Sequence, residues 1–312
     1  MQLLIGLIGL FFIVAFSLRR WLLRRESPQV QAVEFAGELY RVGLATVARR
    51  GPEDAEQTVI VMPGFVENFL YFTEHYQDPS LQLILLTSAD YHVPVNRPQF
   101  SKASWVSEPQ ARPCTIAYDA EVLNQALENL ANGKQVRVHG HSRGGAVVLE
   151  AARQRPDLFA QVEVVLEAPV LPQGKPYRDV PRFFRWFLPF YLFAWQQQPI
   201  SASNRQLFGP LDDPRKRELI MALPFNPKHG STFVCNILDL ADWMQNNTPD
   251  IYQHVRRGAI MVPSRDRILD PRAMLRSAQQ AESLQIIEID GCSHLITADR
   301  PDCIPPLATP TP

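Results

Sequence analysis

Apolar runs and amphipathic stretches alternate along most of the chain. From about residue 30, AVEFAGELYRVGLATVARR places apolar side chains at every second position, which predicts one or two strands near a sheet edge. GPEDAEQ then turns the chain into TVIVM, Thr58–Met62, whose apolar and β-branched residues predict a strand buried on both faces. PGFVENFLYFTEHYQD predicts a tight turn feeding a helix, and Leu81–Leu86 a second buried strand. Residues 89–113 are proline-rich and predict irregular chain. In AYDAEVLNQALENLANG the apolar set Val122, Leu123, Ala126, Leu127 and Leu130 has helical spacing, and Gly133 stops it. The pattern then repeats: QVRVHGHS and VEVVLEAPV as strands around the helix GAVVLEAARQRPDLF, and GAIMVPSRD and LQIIEIDGCSH as strands around the helix PRAMLRSAQQAESL. The tail PDCIPPLATPTP is expected to fray. Strands alternating with helices predict a parallel sheet with helices on both faces, and such sheets carry their chemistry just beyond the C-terminal ends of the strands.

Two stretches break this rhythm. MQLLIGLIGLFFIVAFSL carries no charged side chain from Met1 to Leu18 and is followed by Arg19, Arg20, Arg24 and Arg25. That length is near the minimum for a spanning helix. A secretory signal carries its positive charge before the apolar run; here the charge follows it, which favours keeping the body in the cytoplasm. An atypical signal, placing the body in the periplasm or outside the cell, is the alternative. Trp21, among the arginines, suits the headgroup layer. The second break is residues 170–254, which contain RFFRWFLPFYLFAW, a segment with eight aromatic residues in fourteen. The expected organisation is an anchor over 1–25, a core over 30–169 and 255–312, and an insertion over 170–254.

Composition adds exclusions. Hydrophobic residues are 46% and charged residues 20% of 312, an ordinary globular balance. A net charge of −1 provides no basic field for nucleic acid. The four cysteines, Cys114, Cys235, Cys292 and Cys303, form no CxxC pair and no zinc spacing, so free and mostly buried thiols are expected, with no metal site. Neither a GxGxxG nor a P-loop suggests a nucleotide, and no cofactor is expected.

The chemistry is expected at strand ends. Gly140-His141-Ser142-Arg143-Gly144 is G-x-S-x-G placed between a strand and a helix, the setting in which a sharp turn exposes a serine oxygen. The small residues Gly140 and Gly144 let strand and helix approach. A serine needs a base. Of seven histidines, His294 follows the last predicted strand; His141 lies inside the turn and is expected to point elsewhere. The base needs an acid, and Asp266 lies one loop beyond GAIMV. Asp270 competes, although it also suits a helix cap before Pro271, and Glu167 ends the preceding strand. Backbone donors for an oxyanion are expected from Arg143 and from Phe65, in the Pro63-Gly64-Phe65-Val66 loop after Thr58–Met62.

PGFVEN, GHSRGG, PSRDR and GCSH, in this order, resemble the α/β-hydrolase family over residues 35–168 and 255–300. The resemblance implies an eight-stranded, mostly parallel sheet, a Ser142–His294–Asp266 triad and acyl transfer through a serine ester. A serine rather than an aspartate argues against alkyl-halide and epoxide chemistry. The oxyanion loop departs from the common His-Gly in carrying Pro63-Gly64, which leaves its backbone donors in place.

In this family the slot between the strand ending at Ala168 and the strand at Ile260 commonly holds a lid. Phe183–Trp195, thirteen residues with Pro189 in the middle, is too short to span a bilayer. It is expected to form a lid whose aromatic residues Phe183, Phe184, Trp186, Phe187, Phe190 and Tyr191 line an acyl pocket or lie at a membrane interface. The expected function is a membrane-associated serine hydrolase of a hydrophobic carboxylic ester, lipase-, esterase- or lysophospholipase-like, with the membrane as partner through the N-terminal helix. An acyltransferase using the same triad, or a catalytically silent binding scaffold, are the alternatives.

Overall fold

The computed structural model describes residues 2–25, 32–179, 181, 183–202, 204–223 and 225–307. Its centre is one eight-stranded sheet: β1 (Glu38–Val42), β2 (Ala45–Arg50), β3 (Gln57–Met62), β4 (Gln82–Thr87), β5 (Gln135–His141), β6 (Glu163–Glu167), β7 (Gly258–Pro263) and β8 (Gln285–Ile289). They lie in the order β1-β2-β4-β3-β5-β6-β7-β8. Only β2 runs against the rest, pairing antiparallel with β1 and β4. The alternating stretch expected at an edge is this β1–β2 hairpin.

The side-chain period of two splits the core between the sheet's faces. Ile60, Met62, Ile84 and Leu86 face α3 (Ile116–Leu130) and α4 (Arg143–Gln154). Val59, Val61, Leu83 and Leu85 face the aromatic residues around α2 (Leu70–Thr73). α2 is four residues long, far shorter than PGFVENFLYFTEHYQD predicts. The reason is local: Val66 takes φ +56°, outside the helical region, and Glu67 folds back to accept the Gly64 N–H at 2.7 Å. The first residues of the stretch are committed to a loop.

Between β6 and β7 the chain forms α5 (Phe184–Gln197), α6 (Arg205–Phe208), α7 (Pro214–Met221) and α8 (Gly230–Asn246); α9 (Pro271–Ala278) and α10 (Ile296–Asp299) follow. α5 passes through Pro189 without breaking. This helical insertion packs over the strand-end loops. Leu188, Leu192 and Trp195 of α5, with Phe225 and Phe233, cluster against Phe65 and Val66. Buried Lys216 of α7 pairs with Asp299 beside Ser293, whose side chain also abuts Gly209.

α1 (Gln2–Leu22) is, among the described residues, the one helix long and apolar enough to cross a membrane, and its apolar window is not buried against the protein. The cysteines are free; Cys292 is buried and the other three half-buried. The tail differs from expectation as far as Pro306. Arg137 donates to the carbonyls of Pro305 and Pro306 at 2.7 and 2.8 Å while its other edge pairs with Glu163, so that segment is pinned. Residues 308–312, and Arg182, lie outside the described residues.

Candidate active site

The strand order reverses at β3, which the chain leaves outward to β4 and then passes on its way to β5. The crevice beyond the C-terminal ends of β3 and β5 is the topological switch point where α/β sheets place their ligands. The Pro63–Phe65 loop leaves β3 there, and Ser142 leaves β5 there.

Ser142 has φ +52° and ψ −118°, a conformation costing roughly 1–3 kcal/mol for a residue with a Cβ. The turn is held from three sides: Ser142 N donates to the Glu167 carbonyl at 2.9 Å, and Ser142 O accepts from Gly145 N and Val170 N. The two motif glycines have a steric reason. A Cβ at Gly144 would lie 2.1 Å from the Met62 carbonyl oxygen, and one at Gly140 would lie 2.6 Å from the Gly144 oxygen. β3, β5 and α4 converge too closely for side chains at those positions.

His294 follows β8 and its Nδ1 meets Asp266 Oδ2 at 2.6 Å. The other Asp266 oxygen accepts from the Ile268 and Leu269 backbone at 2.7 and 3.0 Å, so the carboxylate is fixed in one orientation. The competitors are occupied elsewhere. Asp270 caps α9 by accepting from Ala273 N at 2.9 Å. Glu167 accepts from Tyr71, Thr297 and His139. Ser142, His294 and Asp266 are 6, 2 and 1% exposed. The site is therefore covered, and a substrate needs the insertion to move or a path beneath it.

Arg143 opens α4, so its N–H has no intrahelical acceptor. Its side chain turns away into the core and pairs with Asp119 at 2.6 Å. Gly64, next to Phe65, abuts the Ser142 turn: a Cβ there would sit 2.9 Å from Ser142 Cβ. Of the six aromatic residues expected to line a pocket, Phe183, Phe187 and Tyr191 are exposed, and Phe184, Trp186 and Phe190 half-buried. The face of α5 turned toward the Phe65 loop carries Leu188, Leu192 and Trp195 instead. A run this aromatic offers no polar face from which a sequence pattern could orient it.

Sequence reasoning set His141 aside and did not raise Glu67. His141 Nδ1 meets Glu67 Oε2 at 2.8 Å, and its Nε2 meets the His294 carbonyl at 3.0 Å. The ring stacks on Tyr71 and lies 4.8 Å from the His294 ring. A carbonyl and a carboxylate both accept, so a doubly protonated imidazolium satisfies the geometry. Burial alone would lower the His141 pKa; the Glu67 and Glu167 charges outweigh it and raise it to about 9. Burial would likewise raise the Glu167 carboxyl, but the His141 charge and the bonds from His139 and Tyr71 hold it at about 2. Glu67 also accepts from Gly64 N. The Gly64–Glu67–His141–His294 chain therefore ties the loop after β3 to the loop after β8.

The sequence model of the alpha/beta hydrolase family matches residues 59–302. No curated protein matches the chain. Among solved structures, it is similar to the 2-hydroxy-6-oxo-6-phenylhexa-2,4-dienoate hydrolase of Rhodococcus sp. strain RHA1, at 14% identity and TM-score 0.58, covering 87% of this chain and 96% of that one. It is also similar to a thermophilic esterase of Thermogutta terrifontis, at 14% identity and TM-score 0.57, covering 86 and 94%. A membrane phospholipase A described as a bacterial virulence factor gives 15% identity and TM-score 0.56, covering 96 and 92%. At such identities the likeness is one of fold. With the family match spanning most of the sheet, both strand-end loops and the insertion, the chain belongs to the alpha/beta hydrolase family.

Proposed function

We propose that this protein is a membrane-associated serine hydrolase cleaving a hydrophobic carboxylic ester, with Ser142 as nucleophile, His294 as base and Asp266 as the acid that orients it. The observation that carries the reading is the 2.6 Å His294–Asp266 pair, with His294 against the ring of His141, the residue before a serine held at positive φ on a strand-to-helix turn. Asp266 fixes the proton on His294 Nδ1 and leaves Nε2 free to accept. Ser142 Oγ bonds to the ester carbonyl carbon as its proton passes to Nε2. The Phe65 and Arg143 N–H groups receive the oxyanion. The tetrahedral intermediate expels the alcohol, which takes the proton from His294, and leaves an acyl ester on Ser142. Water repeats the sequence and releases the acid.

The apolar character of the substrate rests on Leu188, Leu192, Trp195, Phe225 and Phe233 packed over the Phe65 loop. Membrane association rests on α1 and on the four arginines that follow its apolar run, Arg19 and Arg20 in its last turn and Arg24 and Arg25 beyond it, which favour a cytoplasmic body. The fold shared with an esterase and a membrane phospholipase A supports ester chemistry.

The test is reaction with a fluorophosphonate probe. Wild-type protein is expected to label covalently, and Ser142→Ala not to. Failure of the wild type to label would leave only a silent scaffold. Medium- or long-chain p-nitrophenyl esters are expected to be turned over faster than the acetate; a strict acetate preference overturns the apolar-pocket part of the reading.

A further inference from the structure

The outward face of α5 is uncovered. Phe183, Phe187 and Tyr191 recur every four residues and are 70, 42 and 39% exposed. Two of the three sit in ring pairs: Tyr191 lies 5.4 Å from Phe184, and Phe187 lies 4.8 Å from Trp186. Soluble surfaces seldom leave such a stripe to water.

The C-terminal end of α1 docks beside this helix. Arg19 Nε donates to the Trp186 carbonyl at 3.1 Å, and its guanidinium lies 5.6 Å from the Trp186 ring. Leu23 and Pro189 meet over Gly230, where a Cβ would lie 3.3 and 3.1 Å from them. The Arg25 guanidinium lies 5.3 Å from the Phe193 ring. Along this contact, residue numbers rise together on α5 and on the chain from Arg19, at the end of α1, to Arg25, so the two run in the same direction. The N-terminal end of α5 therefore points toward the free, apolar part of α1. At about 1.5 Å rise per residue, Phe183 stands roughly 4–5 Å beyond Trp186 in that direction, level with the last apolar residues of α1.

We propose that the aromatic stripe of α5 lies in the interfacial layer of the bilayer that α1 crosses, so that lipid, and not a protein partner, covers it. The proposal rests on the membrane reading of α1 given above. The stripe stands level with the last apolar residues of α1. Its aromatic residues, with Trp21 beside them, are of the kind enriched at headgroup level. Arg20 and Arg24 are exposed at the same junction, where anionic phosphates would meet them. The opposite face of α5 holds Leu188, Leu192 and Trp195 against the Phe65 loop. One helix thus touches lipid on one side and the covered site on the other. The substrate class this implies is an ester resident in the membrane.

The test uses full-length protein in vesicles of phosphatidylcholine and phosphatidylglycerol, with part of the phosphatidylcholine brominated on its acyl chains to quench nearby indoles. A Trp186→Phe parent keeps Trp21, Trp105, Trp195 and Trp243, so each added indole is read as the difference from that parent, and Phe187→Trp in it reports α5. Met221→Trp in the same background reports an exposed site on α7, and Trp21→Phe measures the share of quenching due to α1. The indole at position 187 is expected to lose about half of its emission, as Trp21 does, while that at 221 loses little. Quenching of Trp21 with position 187 no more quenched than 221 overturns the proposal and leaves the anchor standing. Absence of Trp21 quenching fails the anchor reading and the proposal together. A blue-shifted but unquenched indole at 187 overturns the proposal in favour of a second copy of this chain.

Discussion

His141 and Asp266 show how much one side chain's surroundings decide. Asp266 and Asp270 are four residues apart in one loop, and spacing could not choose between them. Hydrogen bonds separate them: Asp266 receives two backbone N–H groups and His294, whereas Asp270 caps α9. Asp266→Asn is expected to lower kcat by about four orders of magnitude through the wrong His294 tautomer. Asp270→Ala is expected to cost about 1 kcal/mol of stability with little change in kcat per folded molecule. Steady-state kinetics beside thermal unfolding of both variants checks this, and the reverse pattern would reassign the acid. His141 gives a pH signature. Its pKa is raised when folded, so its stabilising contribution is whole below the ordinary 6.5 and lost as pH rises through about 9. The full difference amounts to about 3 kcal/mol. His141→Gln is expected to flatten the decline in unfolding free energy between about pH 6.5 and 9. An unchanged slope in that variant would show that the ring is neutral in the folded protein.

At the scale of elements, the alternating frame was legible because each strand and helix declares itself within a few residues. β3, β4 and β5 lie within a residue or so of their apolar runs, and the turn at Ser142 follows from one strand, one helix and two glycines. What could not be read depends on partners far away in the chain. Glu67 reaches His141 across 74 positions, and α2 is short because Glu67 and Val66 are spent on the loop. The insertion is the same case. Lys216 of α7 lies in a polar and basic stretch, yet it is 1% exposed and paired with Asp299 next to the His294 loop. Asp299 keeps two other donors from Ser293, so Lys216→Met does not strand a bare charge. The expected loss is about 1–3 kcal/mol, concentrated in local opening. Amide exchange is expected to accelerate in α7 and around residues 292–295 while the α3 and α4 amides stay protected. Uniform acceleration would mean that the pair supports the whole fold and not this junction.

For the whole molecule, the question is where the proposed anchor ends and the folded body begins. The sequence puts the boundary after Arg25, from the end of the charge cluster. Within that stretch, contacts with α5 begin at Arg19. Leu22 is buried among residues of the body, Leu23 sits against Gly230, and Arg19 and Arg25 reach Trp186 and Phe193. Residues 2–18 make no comparable commitment; nearly all are exposed. Two truncations separate the readings. Removing residues 1–18 is expected to leave the stability of the body unchanged and to abolish its partition into vesicles. Removing residues 1–25 deletes the buried Leu22 and two cation–aromatic contacts as well. Leu22 is worth about 2 kcal/mol by area and each cation–aromatic contact about 0.5–1 kcal/mol, so the longer truncation should be less stable by about 3–4 kcal/mol. The loss should appear first in α5, as faster exchange of its amides and greater access of fluorophosphonate to Ser142. Equal stability of the two truncations would mean that residues 19–25 only rest on α5, and that α1 and α5 move independently.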